Sequence, residues 1–140
     1  MTSQVISMRE LPDADFWREA AARHSELFDP IDAGARIAFI RRDAPSSMLV
    51  WKTLAGRVDA SVEAFSGYSQ CGADMVLAAN VDALEAIGRA SQDALFETLR
   101  DGIRRGSIVC FMLRRRCDLE ARGFDELLDA LGFAFMGACR

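Results

Sequence analysis

Histidine and lysine are almost missing from this chain: His24 and Lys52 stand alone among its 140 residues. A single imidazole leaves one side chain suited to exchanging a proton near neutrality. It also excludes the H-E-x-x-H zinc motif. None of the four cysteines, Cys71, Cys110, Cys117 and Cys139, forms a C-x-x-C pair. A zinc site would have to gather nearly every soft ligand in the chain from afar. Buried free thiols acting as small apolar side chains are the expectation, with no metal or other cofactor. A G-x-S-x-G elbow is absent, and no glycine-rich phosphate loop adjoins the arginine clusters Arg104-Arg105 and Arg114-Arg115-Arg116. The longest uncharged apolar runs, such as residues 107–113, fall far short of the roughly 20 residues that span a bilayer, so stable membrane insertion is not expected. Met1-Thr2-Ser3-Gln4 lacks a basic segment followed by an apolar one, which points to a cytoplasmic protein without a secretory signal.

What is present is ordinary for a globular protein: 51% hydrophobic and 27% charged residues, over a length that suits one domain spanning residues 1–140. The net charge of −4 argues against a nucleic-acid partner. The arginine clusters could form an anion patch, but short charge runs usually mark solvated ends, here of a helix and a strand.

Asp13 is placed to cap a helix in which Phe16, Trp17, Ala20, Ala21, His24, Leu27 and Phe28 share one face, and Asp29-Pro30 should end it. The period then changes. Residues 35–41, 48–54, 58–64 and 73–79 read as strands, with Ala55-Gly56 as a hairpin turn and residues 66–69 as a loop. Val58, Ala60, Val62 and Ala64 alternate with polar residues, the mark of a half-buried strand. Short connections favour antiparallel neighbours. Asn80 should cap a short helix carrying Val81, Leu84 and Ile87. Ser91 should cap the next, with Leu95, Phe96, Leu99 and Ile103 on its apolar side and Gly102 and Gly106 near its end. Residues 107–113 read as a fifth strand buried on both faces. Phe124, Leu127, Leu128 and Leu131 mark a last helix stopped at Gly132. A block of strands flanked by helices means an α+β fold, a five-stranded, mainly antiparallel sheet covered on one face by helices.

Catalysis finds no foothold in these residues. On an apolar helix face, His24 is expected to be a hydrogen-bonded core residue, and Asp13, Asp15, Asp125 and Glu126 suit the positive ends of helices. The expectation is therefore a protein that is not an enzyme. The second half is rich in large apolar side chains, including Leu95, Phe96, Leu99, Phe111, Met112, Leu127, Leu128, Leu131, Phe133, Phe135 and Met136. Such a set builds either a plain core or an apolar pocket between sheet and helices.

Between about Ala35 and Val109 the order of features resembles the sterol carrier protein 2-like (SCP2-like) family. The pieces that carry the resemblance are Ile37-Ala38-Phe39-Ile40, Leu49-Val50-Trp51, Gly56-Arg57-Val58 and Ala73-Asp74-Met75-Val76-Leu77. They are followed by residues 81–88, Ala94-Leu95-Phe96 and Arg105-Gly106-Ser107-Ile108-Val109. The resemblance implies a five-stranded sheet with helices over one face, enclosing a site for a lipid, acyl chain or sterol-like molecule. Trp51, Phe96, Leu99, Phe111, Leu128 and Phe135 would line it, and no covalent chemistry would occur there. The arginines at 114–116 and the segment after them depart from the family pattern.

Two rival readings remain. One is an interaction module or chaperone-like subunit, which expects a homodimer or a stable complex and an exposed apolar patch. The other is an N-acetyltransferase, because residues 127–133 followed by Met136-Gly137 resemble a helix running into that fold's Gly-Phe strand. Residues 80–88 lack the glycine-containing pyrophosphate loop such an enzyme needs.

Overall fold

The structure is a computed structural model and describes residues 13–133. Asp13 caps α1 (Ala14–Arg23) by accepting a hydrogen bond from the Phe16 amide at 3.2 Å. The single helix expected here is broken at His24, whose backbone (φ −124°, ψ 43°) leaves the helical region before α2 (Ser25–Phe28). The break lets Trp17 and Phe28 both reach Trp51 from successive segments, with ring centroids 5.4 and 5.1 Å from it.

Three strands follow: β1 (Arg36–Arg41), β2 (Ser47–Leu54) and β3 (Arg57–Ala64), joined as antiparallel neighbours. The connection 65–74 does not return β4 (Met75–Ala79) beside β3. It carries the chain past β2, and β4 pairs in parallel with β1, Ala38 opposite Val76. Next come α3 (Val81–Arg89), α4 (Leu95–Arg105) and β5 (Ile108–Met112), which pairs antiparallel with β4. The strand order is β3-β2-β1-β4-β5, so the sheet is mixed but mainly antiparallel, and the α+β class holds. Two short helices end the described chain, α5 (Arg116–Ala121), which the sequence pattern did not suggest, and α6 (Asp125–Ala130).

Burial corrects one strand. β5 was expected to be covered on both faces, but it is an edge strand and Phe111 is 37% exposed. Both faces are covered instead along β4, all five of whose residues are buried, and in the middle of β1, Ile37 to Ile40. One sheet face meets the helices through Ile37, Phe39, Leu49, Trp51, Met75, Leu77 and Ile108. On the opposite face Ala38, Ile40, Met48, Val50, Val76 and Ala78 form a second cluster with Cys71 and Ala73, against which Phe65 and Tyr68 of the connection pack.

Two glycines fix how closely layers approach. A Cβ on Gly102 of α4 would lie 2.6 Å from Ile108 Cδ1, so this glycine lets the helix rest on β5. Gly123, between α5 and α6, has φ +93°, and a Cβ there would sit 1.9 Å from the Pro30 carbonyl oxygen. The same junction is tied down by the Asp32 amide, which donates to the Arg122 carbonyl at 3.0 Å.

Asp74 organises the far end of the sheet. Its carboxylate is almost fully buried and accepts from the Arg36 amide (2.9 Å), Arg114 Nε (2.9 Å) and Arg122 Nη1 (3.0 Å). One acid thereby joins the start of β1, the exit from β5 and the end of α5. The arginine run at 114–116 is therefore more than a solvated strand end. Arg115 pairs with Asp118, and Arg116 donates to the Phe133 carbonyl at 2.9 Å and pairs with Glu120. Arg104 pairs with Asp101 in the last turn of α4, as a solvated helix end should. The expectation of four free thiols also changes: Cys71 and Cys110 are free, but Cys117 is disulfide-bonded.

Candidate functional site

Between the helices and the middle of the sheet the space is filled by rings. Trp51 stacks on Phe96 (centroids 5.5 Å, planes 18° apart) and meets Phe39 edge-on at 4.9 Å. Trp17 lies 4.3 Å from Phe39. The Trp51 indole N–H donates to the Trp17 carbonyl at 2.8 Å, so this buried donor is satisfied within the cluster.

This packing places the residues proposed from sequence as pocket wall. Trp51, Phe96, Leu99 and Leu128 are all buried in the helix-side core. Phe111 belongs to the other side of the molecule, where its ring lies 4.6 Å from Tyr68. Phe135 lies outside the described residues. Four of the six are thus brought into one core, and Phe111 is not.

An opening lies at one end of this core, a cleft of about 700 Å3. Its helix wall is α1 and α2, through Ala21, Ala22, Ser25 and Phe28. Its sheet wall is the β2–β3 hairpin, through Leu54, Gly56 and Val58. Ile31 and Ala33 close it from the turn before β1. Thr53 secures the floor: its hydroxyl donates to the Asp32 carbonyl at 2.6 Å and accepts from the Ala35 amide at 2.9 Å. The Gly34 amide donates to the Thr53 carbonyl at 2.7 Å. A buried hydroxyl satisfied in this way holds the turn against β2. Arg18 bridges the two walls, donating from α1 to Asp59 (3.1 Å) and to the Ala60 carbonyl (2.8 Å) of the β3 edge. The Arg18 guanidinium, by this hydrogen bond, holds the Asp59 carboxyl below its usual range.

Among the described residues, Trp51, Phe96, Leu99, Phe111 and Leu128 do not line this cleft. Its apolar wall is made of alanines and single larger residues from four segments, interspersed with charged and polar ones. Ala21 and Phe28 stood out in the sequence as part of the first helix's apolar face, and Val58 in the alternation of β3, but none was singled out as pocket wall. The cleft depends on α1 crossing over β3, and no spacing along the chain encodes that crossing.

The titratable side chains show how each is held. His24 has Nδ1 3.0 Å from the Ala20 carbonyl, and its ring lies 4.8 Å from Phe96, so it is hydrogen-bonded as expected, but half-buried at the edge of the core and not inside it. Burial pushes the Cys110 thiol up to about 12. No group of three or more His, Cys, Asp and Glu side chains among the described residues is arranged to hold a metal ion. No helix among them is long and apolar enough to cross a membrane.

No family model matches the chain, and no curated protein matches it. Among solved structures it is similar to a UbiJ-SCP2 ubiquinone synthesis protein. The match has 16% identity and a TM-score of 0.38, and covers 81% of this chain and 72% of that one.

Proposed function

We propose that this chain is a non-catalytic binder of a hydrophobic small molecule, a lipid, acyl chain or sterol-like compound. The molecule would be held in the cleft between α1–α2 and the β2–β3 hairpin. The observation that carries this is the cleft itself: about 700 Å3, with Ala21, Phe28, Ile31 and Val58 presented from both layers. That volume falls within the roughly 300–1,000 Å3 of small-molecule sites. Affinity would come from apolar burial, about 0.8 kcal/mol per methylene. The sequence resemblance to the sterol carrier protein 2-like family suggests the same ligand class. Covalent chemistry is left out because the candidate groups are otherwise engaged: His24 lies against Ala20 and Phe96, and the Cys110 thiol resists ionisation.

Native mass spectrometry of the purified protein, followed by organic extraction, tests this reading. A co-purifying apolar molecule that is lost from Ala22→Trp, a variant whose indole would fill the cleft, supports it. Turnover of a bound molecule that depends on one of the protein's side chains would refute the non-catalytic part.

A second reading, an interaction module, draws on Phe111 and Leu113, which remain 37% and 36% exposed. It expects a dimer in light scattering that Phe111→Ser converts to monomer.

A further inference from the structure

We infer that the cleft selects a zwitterionic amphiphile, one carrying a cationic and an anionic group beside an apolar tail. This rests on the proposed function, since it names the ligand class for the same cleft. Four charged side chains line the opening: Arg18, Glu19, Asp29 and Arg57. Two of them are already spent. Arg18 is held by Asp15, Asp59 and the Ala60 carbonyl, and Glu19 pairs with Arg23 at 3.4 Å. Asp29 and Arg57 form no ion pair among the described residues. Asp59, two residues along the strand from Arg57, hydrogen-bonds Arg18 and meets Arg57 only as a charge through space, with no ion pair between them.

The two unspent charges come from opposite walls. Asp29 caps the end of α2 on the helix side, and Arg57 opens β3 on the sheet side. An anionic group beside Arg57 meets a planar guanidinium able to donate two hydrogen bonds. A singly charged amphiphile satisfies one wall and offers a like charge to the other, so discrimination comes from repulsion as well as attraction. The tail rests on Ala21, Phe28, Ile31 and Val58.

The full chain is titrated with four dodecyl probes, each below its critical micelle concentration: dodecylphosphocholine, dodecanoate, dodecyltrimethylammonium and dodecyl maltoside. Phe28 lines the cleft and packs on Trp51, so tryptophan fluorescence reports occupancy, and calorimetry supplies the affinity. Dodecylphosphocholine should bind about tenfold more tightly than either singly charged probe. Arg57→Gln should bring it down to the level of dodecyltrimethylammonium, and Asp29→Asn to the level of dodecanoate. Both side chains are exposed, and unchanged circular dichroism would show that the variants fold. Equal binding of the phosphocholine and maltoside probes overturns the headgroup inference and leaves the apolar cleft standing. Tighter binding of a singly charged probe, or variants that leave the ranking unchanged, overturns it too. Binding by none of the four overturns both this inference and the proposed function.

Discussion

Replacing Asp74 with alanine tests whether one buried acid holds the end of the sheet together. The wild-type carboxylate accepts three hydrogen bonds, from the Arg36 amide, Arg114 and Arg122, and is itself 4% exposed. A hydrogen bond to a charged group contributes about 1.5–3 kcal/mol in general. The Arg114 and Arg122 side chains are 55% and 29% exposed, so their guanidinium groups regain water when the acid is gone, and about 1 kcal/mol each is the better figure. The Arg36 amide loses its carboxylate acceptor at a part-buried strand end, at a further cost of about 1–3 kcal/mol. The loss is therefore about 3–5 kcal/mol, in the range found when one member of a buried ion pair is removed. Asp74→Asn keeps an acceptor oxygen and the side-chain volume but not the charge, and should cost about 1–2 kcal/mol. Urea unfolding followed by circular dichroism measures both, with an unchanged m-value confirming that stability alone has moved. A cost below about 1 kcal/mol for the alanine variant would refute the reasoning. So would an asparagine variant as unstable as the alanine one, because the ordering depends on the retained acceptor.

Other perturbations have equally definite outcomes. Gly123→Ala drives a methyl group into the Pro30 carbonyl at a positive φ, so it should destabilise by about 3 kcal/mol or more or prevent folding. Gly132→Ala, whose Cβ meets only the Arg100 side chain, should cost about 1–2 kcal/mol in the same unfolding assay. Iodoacetamide at pH 8 should leave Cys110 largely unmodified in the native protein and alkylate it in guanidinium, as mass spectrometry of its peptide would show. Asp43, Asp59 and Glu63 are hydrogen-bonded to Arg41, Arg18 and Arg36 and hold their carboxyls below the ordinary values of 3.8 and 4.5. Their contribution is complete above those ordinary values and is lost as pH falls through the lower folded ones. Urea midpoints should therefore drop between about pH 5 and pH 3, and Glu63→Gln should flatten part of that drop.

The five strands were legible because each has a local signature, such as the alternation from Val58 to Ala64 and the Ala55-Gly56 turn between β2 and β3. Two caps were legible for the same reason: Asn80 accepts from the Ala83 amide at 3.0 Å, and Asp13 from the Phe16 amide. The expected Ser91 cap was not: α4 starts after Ala94, and Ser91 Oγ instead accepts from the Ala94 amide in the preceding turn at 3.2 Å. Strand order was not, since the connection 65–74 is short enough for a hairpin yet carries β4 to the far side of β1. What decides that outcome is the second apolar face, where Phe65 and Tyr68 find cover over Ala38, Ile40 and Val76, and this is a long-range fact. Helix α5 was missed because its six residues carry three charged side chains and a single buried residue, Leu119. The cleft was missed for a related reason. Large side chains such as Trp51 and Leu99 drew attention as pocket wall, whereas large side chains pack best against one another. The open space is left where alanines meet a hairpin.

The placement of β4 also sets an order of events as the chain folds. β1, β2 and β3 pair with one another as successive hairpins and can form a meander without waiting for the rest. β4 must then close on β1 across the whole meander, and β5 can join only after α3 and α4 have brought it back. Until that closure, one edge of β1 and both apolar faces are open. The early half of this molecule therefore passes through a stage in which its most hydrophobic strands are also its most adhesive, and closure by β4 and β5 ends that exposure.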